Sequence, residues 1–260
     1  SEVRMYFDVS GVKLYYERSG CGKPLLLLHG WGGKAASFLP VARDFATERT
    51  VYAVDFPGHG NSPEPPEAWS VTEYMELIYA FVRRMDILGT DVIAHSFGGR
   101  VALLLAAAHP DAVGKLVLTG CAGIRAQASG RKTLKSRVYR FLRAAADNGL
   151  TRRLFKSRVD RWREALVKRF GSADYRALKP SMRATFNRVI AQDLRPLLPG
   201  IQAPTLLIWG TEDRETPIWM GEVMEKEIPD AALIRLAGGH FAYLERYPEF
   251  LAIAQKFLIG

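Results

Sequence analysis

The spacing of apolar residues changes period several times along the chain, and each change marks a structural boundary. Val3 to Val9, and Lys13 to Glu17 after a Ser-Gly turn, read as the strands of a hairpin, with the apolar run Leu25 to Leu28 as a third strand. Runs of strand length then alternate with helical spacing. Strands are predicted at Val51 to Val54, Val92 to Ala94 and Leu116 to Leu118, and helices over Val71 to Met85 and Val101 to Ala108. Such alternation implies βαβ units, and short apolar strands without polar alternation are expected in a parallel sheet whose two faces are covered by helices. From about Gly123 to Leu198 the strand signal stops and helical spacing replaces it, as with Leu134, Val138, Leu142 and Ala145. The α/β pattern returns with a strand at Thr205 to Trp209, a helix over Ile218 to Glu227, a strand at Ala232 to Leu236 and a last helix ending near Leu258. The predicted fold class is α/β, a mostly parallel central sheet with helices on both faces. Residues 1–122 and 199–260 form the core domain, and residues 123–198 an inserted helical cap.

A length of 260 residues suits one such core plus an insertion. With 48% hydrophobic and 24% charged residues the balance is that of an ordinary globular protein, which argues against a disordered or fibrous chain. Ser1 to Ser10 lacks the basic start and apolar run of a signal peptide, and no run reaches the ~18 apolar residues of a membrane span, so a cytoplasmic location is expected. Cys21 and Cys121 stand in unrelated contexts and are expected as free thiols. The formal charge of +9 changes the picture only through its distribution. Residues 121–200 hold about 20 Lys and Arg against about 5 Asp and Glu, leaving the remainder of the chain slightly acidic. These cations read as a solvated face, and no nucleic-acid partner is expected. A second reading is attraction of acidic substrates such as acyl-CoA, or of an anionic membrane surface, which salt would weaken.

The strongest local signal is Val92-Ile93-Ala94-His95-Ser96-Phe97-Gly98-Gly99, a strand, a sharp turn and an apolar helix starting near Arg100. Small residues at Ala94, Gly98 and Gly99 permit a tight turn and close helix packing, which lifts the Ser96 hydroxyl to an exposed apex at a helix amino end. A helix-capping serine alone would leave a similar tetrad, but the strand before and the helix after are the context a nucleophile requires. The segment resembles the nucleophile elbow of the α/β-hydrolase family, G-x-S-x-G, here A-H-S-F-G with Ala94 in place of the first glycine.

That resemblance implies further residues. His29-Gly30-Trp31-Gly32-Gly33 follows the strand Leu25 to Leu28, where the family carries its HG-x-G oxyanion loop, and the backbone N–H groups of Trp31 and Phe97 are the expected oxyanion donors. Of the five histidines, His29 belongs to the glycine loop and His59 to the turn Asp55-Phe56-Pro57-Gly58-His59-Gly60-Asn61-Ser62; both are expected to be structural. His95 precedes the nucleophile and should point away from it, and His109 ends a helix. His240, in Gly238-Gly239-His240-Phe241, occupies the loop of the family's base. The acid should lie between nucleophile and base after the penultimate strand. There Asp213 matches the family's G-x-x-D followed by a helix-starting proline, Pro217, with Glu212 and Glu215 as nearby rivals. The alternative acid position after the sixth strand falls at Gly120.

Ser96, Asp213 and His240 would then form an acyl-serine intermediate by nucleophilic catalysis, with no metal and no organic cofactor. The resemblance implies a hydrolase of short to medium carboxylic esters, a small molecule as its partner. The oligomeric state is not legible. Gly30, His95 and Phe241 in the core and Phe141, Trp162 and Phe170 in the cap are the candidate pocket residues, although helical spacing makes plain packing against the core the better default for any one of the cap aromatics. The same triad serves lactonases, thioesterases, C–C bond hydrolases and cofactor-free haloperoxidases, and a few members of the fold are ligand-binding receptors. A haloalkane dehalogenase is disfavoured, because that family places an aspartate where this chain has Ser96.

Overall fold

In a computed structural model, residues 3–125 and 178–260 are described. The chain divides into two compact units, Ser1–Arg125 with Asn187–Gly260, and Ala126–Phe186. Most of the expected cap, with Phe141, Trp162 and Phe170, lies outside the described residues.

The first unit is built on eight strands: β1 (Val3–Val9), β2 (Val12–Gly20), β3 (Lys23–Leu28), β4 (Arg49–Asp55), β5 (Thr90–His95), β6 (Val113–Thr119), β7 (Thr205–Gly210) and β8 (Ala231–Leu236). They form one sheet in the order β1-β2-β4-β3-β5-β6-β7-β8. β1 and β2 make the expected antiparallel hairpin, β2 runs antiparallel to β4, and every later pairing is parallel. Helices α1 (Leu39–Phe45), α2 (Val71–Arg84), α3 (Phe97–Ala108), α4 (Pro180–Ala191), α5 (Trp219–Glu227), α6 (Ala242–Glu245) and α7 (Tyr247–Leu258) accompany them.

Successive side chains of a strand point to opposite faces, and the central strands use both. Leu26, Leu28, Val92, Ala94, Leu116, Leu118, Leu207 and Trp209 join one core cluster with Tyr74, Ile78 and Phe81 of α2, Leu103 of α3 and Met224 of α5. Their neighbours Leu25, Leu27, Ile93, Val117, Leu206 and Ile208 join the other, with Val41 and Phe45 of α1, Tyr243 of α6 and Phe250, Ala254 and Leu258 of α7. Two apolar faces explain why these strands read as unbroken hydrophobic runs.

Some elements begin where the apolar pattern is silent. α1 has seven residues with a proline at its start, too short to display a period. α3 starts at Phe97, ahead of its apolar run, because its first turn contains Gly98 and Gly99, poor helix formers held by packing. α2 is marked by a capping box, with Ser70 accepting from the Thr72 N–H and Glu73 accepting from the Ser70 N–H. Among the described residues no helix is long and apolar enough to cross a membrane.

Candidate active site

The parallel strands end on a common edge, and the residues singled out in the sequence lie there or in the loops just beyond. Ser96 directly follows β5, which is flanked by β3 and β6. Its backbone is at φ 50° and ψ −108°, a conformation that costs on the order of 1–3 kcal/mol for a residue with a side chain. The surroundings impose it. The Ser96 N–H donates to the Thr119 carbonyl at 3.2 Å, and the Ser96 carbonyl accepts from Ala122 at 3.1 Å. A Cβ on Gly98 would sit 2.1 Å from the Leu28 carbonyl oxygen, and one on Gly99 would sit 2.3 Å from Cys121 Sγ. Only glycines let α3 approach the ends of β3 and β6 this closely.

That approach brings the Phe97 N–H, in the first turn of α3 where helical N–H groups have no intrahelical acceptor, beside the loop after β3. His29 organises this loop. Its Nε2 accepts from the Phe56 N–H at 3.0 Å, so Nδ1 carries the proton and donates to the Gly30 carbonyl at 2.7 Å. Burial, helped by the nearby His59, pushes the His29 pKa down to about 3, so the ring is neutral and this tautomer persists. The Gly30 carbonyl also accepts from the Gly33 N–H at 3.0 Å. Pinning that carbonyl orients the Trp31 N–H, because the two belong to one planar trans peptide and point in opposite directions. Asp55 holds the far end of the loop, accepting from the N–H groups of Ala35 and Asn61. His59 is buried, with its ring edge-on to Trp31 at 4.8 Å.

Asp213, after β7, and His240, after β8, meet with Asp213 Oδ2 2.8 Å from His240 Nδ1. Asp213 is buried and fully engaged. Its Oδ1 accepts from the N–H groups of Glu215 and Thr216, both at 2.9 Å, and its Oδ2 accepts from the Thr216 hydroxyl at 2.8 Å. Burial alone would raise the carboxyl's pKa, but the hydrogen bonds from His240 and Thr216 outweigh it and hold the pKa below the usual carboxylate range. An ionised Asp213 on Nδ1 keeps the proton on that nitrogen and leaves the Nε2 lone pair available. Gly120, at φ 49°, backs the pair, and a Cβ there would lie 3.2 Å from both Asp213 Oδ2 and His240 Nδ1.

His95 connects the elbow to the His240 loop. It is buried with a pKa pushed down to about 3, by desolvation first and by His240 second, so its Nε2 donates as a neutral ring to the His240 carbonyl at 3.0 Å. Its ring packs 4.6 Å from that of His240 and 5.0 Å from that of Phe241. Gly30 lies against the elbow, since a Cβ on it would meet His95 Nδ1 at 2.7 Å and Ser96 Cβ at 3.4 Å. Phe241 is exposed beside His240. Among the described residues no hydrogen bond joins the Ser96 hydroxyl to His240. The Nε2 edge of His240 instead faces Glu215 Oε2 at 3.4 Å. Catalytic hydrogen bonds are often long or misaligned before substrate binds.

Thr216 escaped the sequence reading, and Glu215 was weighed there only as a rival to Asp213 for the acid. Thr216 holds Asp213 with both its N–H and its hydroxyl, and a threonine three residues after an aspartate and just before a proline is a turn signal that could have found it. The place of Glu215 beside Nε2 had no sequence signal.

Residues 23–247 match the family model described as the alpha/beta hydrolase fold. The chain belongs to the α/β-hydrolase family. Among its relatives, the pimeloyl-[acyl-carrier protein] methyl ester esterase of Chromobacterium violaceum is 29% identical, over 92% of this chain and 96% of the relative. The enol-lactonase of Burkholderia xenovorans superposes with a TM-score of 0.74 at 22% identity, covering 98% of this chain and all of that one. An esterase from Exiguobacterium antarcticum gives a TM-score of 0.74 at 22% identity, covering 97% of each chain. At those identities the two structures speak to the fold of this α/β-hydrolase and not to its substrate.

Proposed function

We propose that this α/β-hydrolase is a serine esterase that cleaves carboxylic esters of short to medium acyl chain, with Ser96 as nucleophile, His240 as base and Asp213 as orienting acid. The observation that carries the reading is the ionised Asp213 holding His240 by Nδ1, at the same sheet edge as the strained Ser96. His240 Nε2 takes the Ser96 proton as Oγ attacks the ester carbonyl, and the carbonyl oxygen, now anionic, is received by the N–H groups of Trp31 and Phe97. Collapse of the tetrahedral adduct expels the alcohol, which takes the proton from His240 and leaves an acyl-serine. Water, deprotonated by His240, then releases the acid. Every proton is handled by the chain's own groups. The name of the Chromobacterium relative, a methyl ester esterase, agrees with this reaction class. Within the described residues, Gly30, His95 and Phe241 are the proposed pocket residues beside this triad.

The test is turnover of p-nitrophenyl butyrate together with labelling by a fluorophosphonate probe. Wild type should show both, and Ser96→Ala should lose both while keeping its melting temperature within a few degrees. A folded wild type that resists the probe and leaves the ester intact refutes the proposal and favours a binding role on the same fold.

A further inference from the structure

His240 is bracketed by two carboxylates of different character. Asp213, with a fully buried side chain, sits on Nδ1, and Glu215, with 57% of its side chain exposed, sits 3.4 Å from Nε2. Both come from one loop, and the Glu215 N–H is itself bonded to Asp213 Oδ1, which anchors the residue at its backbone while the carboxylate reaches around the ring. Nε2 is the atom that must face the attacking hydroxyl and later the departing alcohol. The Glu215 carboxylate therefore stands beside the reacting centre, where its field reaches a charge on either side of the ester. The other charged side chains of the loop, Glu212 and Arg214, are exposed and opposite in sign.

We infer that Glu215 is a specificity-determining residue of this site, a carboxylate at the Nε2 edge of His240 that selects esters by charge, favouring cationic and neutral ones over esters carrying an anion near the scissile bond. The inference rests on the esterase reading above and adds a substrate class to it. Its side chain takes no part in the bond changes. It swings aside as the Ser96 hydroxyl engages Nε2, and its field remains. A unit charge on the ester about 7 Å away, at a dielectric between those of water and a protein surface, is shifted in reactivity by about four-fold in each direction.

Three matched p-nitrophenyl esters supply the test: butyrate, the hemisuccinate, and 4-(trimethylammonio)butyrate. kcat/KM is measured for wild type, Glu215→Gln and Glu215→Lys, and the readout is the ratio of each charged ester to butyrate. A purely structural effect of the substitution moves all three esters together and cancels, as does the field of the basic segment at residues 121–200, common to all variants. In Glu215→Gln the hemisuccinate ratio should rise about four-fold and the cationic ratio fall by the same factor, with Glu215→Lys going further. In 1 M salt, where screening acts over about 3 Å, the differences between variants should shrink. Ratios identical in wild type and both variants overturn the inference while leaving the esterase reading intact. A wild type inert to all three esters and to the fluorophosphonate probe refutes the esterase reading itself.

Discussion

Gly98 and Gly99 are adjacent in the elbow helix, yet adding one methyl group to each should have different consequences. A Cβ on Gly98 would lie 2.1 Å from the Leu28 carbonyl oxygen and 2.7 Å from that of His29, both backbone atoms of the strand and loop carrying Trp31. Ordinary contact needs roughly 1 Å more, and neither backbone can rotate away, so α3 and the β3 loop must separate by about that amount. Because Phe97 and Trp31 sit on opposite sides of this contact, the gap opens the proposed oxyanion hole. Displacement by about 1 Å at a reacting centre costs on the order of 10² in rate. Overpacking on this scale costs about 3 kcal/mol, or roughly 6–12 °C in melting temperature for a chain of this size. In Gly99→Ala the new methyl meets Cys121 Sγ at 2.3 Å, the end of a side chain, with Cys121 Cβ at 3.0 Å behind it. Cys121→Ala should therefore recover part of the loss from Gly99→Ala and none of that from Gly98→Ala. Thermal melts and p-nitrophenyl butyrate turnover, normalised by fluorophosphonate labelling, would measure both effects. A Gly98→Ala protein with wild-type melting temperature and kcat/KM would refute the reasoning.

Thr216→Val keeps the shape and removes the hydroxyl that donates to Asp213, so the variant should be about 1–2 kcal/mol less stable at pH 7. A carboxylate with a depressed pKa contributes stability above its unfolded pKa and loses it as pH falls through the folded value. The deficit should therefore narrow below about pH 4; denaturant unfolding at pH 7 and about pH 3 tests this, and a constant deficit contradicts it. His29 and His95 act with the opposite protonation. Both are buried neutral with pKa values of about 3, so the unfolded chain binds more protons and stability should fall as pH drops from 6.5 towards 3. Each contributes a slope of up to about 1.4 kcal/mol per pH unit. In His29→Gln the slope should flatten by one proton, and an unchanged slope would show that His29 titrates normally.

Much of the fold was legible because the relevant physics is local. Leu25 to Leu28, Val92 to Ala94 and Leu116 to Leu118 are short, wholly apolar and separated by helical spacing, a pattern that a parallel sheet covered on both faces produces and few other arrangements do. The family was legible in the elbow, where strand, glycine turn and helix occur in one stretch of eight residues. α1 was not, since seven residues display no period, and the first turn of α3 was hidden by the two glycines that make it possible.

The chain order of residues determined which side chains stand at the ends of which strands, because a strand's end and the loop after it are read from a few consecutive positions. That is how Ser96, Asp213 and His240 could be nominated although 27 residues separate the last two and 117 separate the first two. Only the tertiary structure decided what those ends face. The Asp213–His240 contact, the Thr216 hydroxyl on the acid, the His95 bond to the His240 carbonyl and the Glu215 carboxylate at Nε2 all depend on the distance and angle between loops on different strands. Those quantities arise from the twist and packing of the whole sheet, to which every strand contributes and which no single segment encodes.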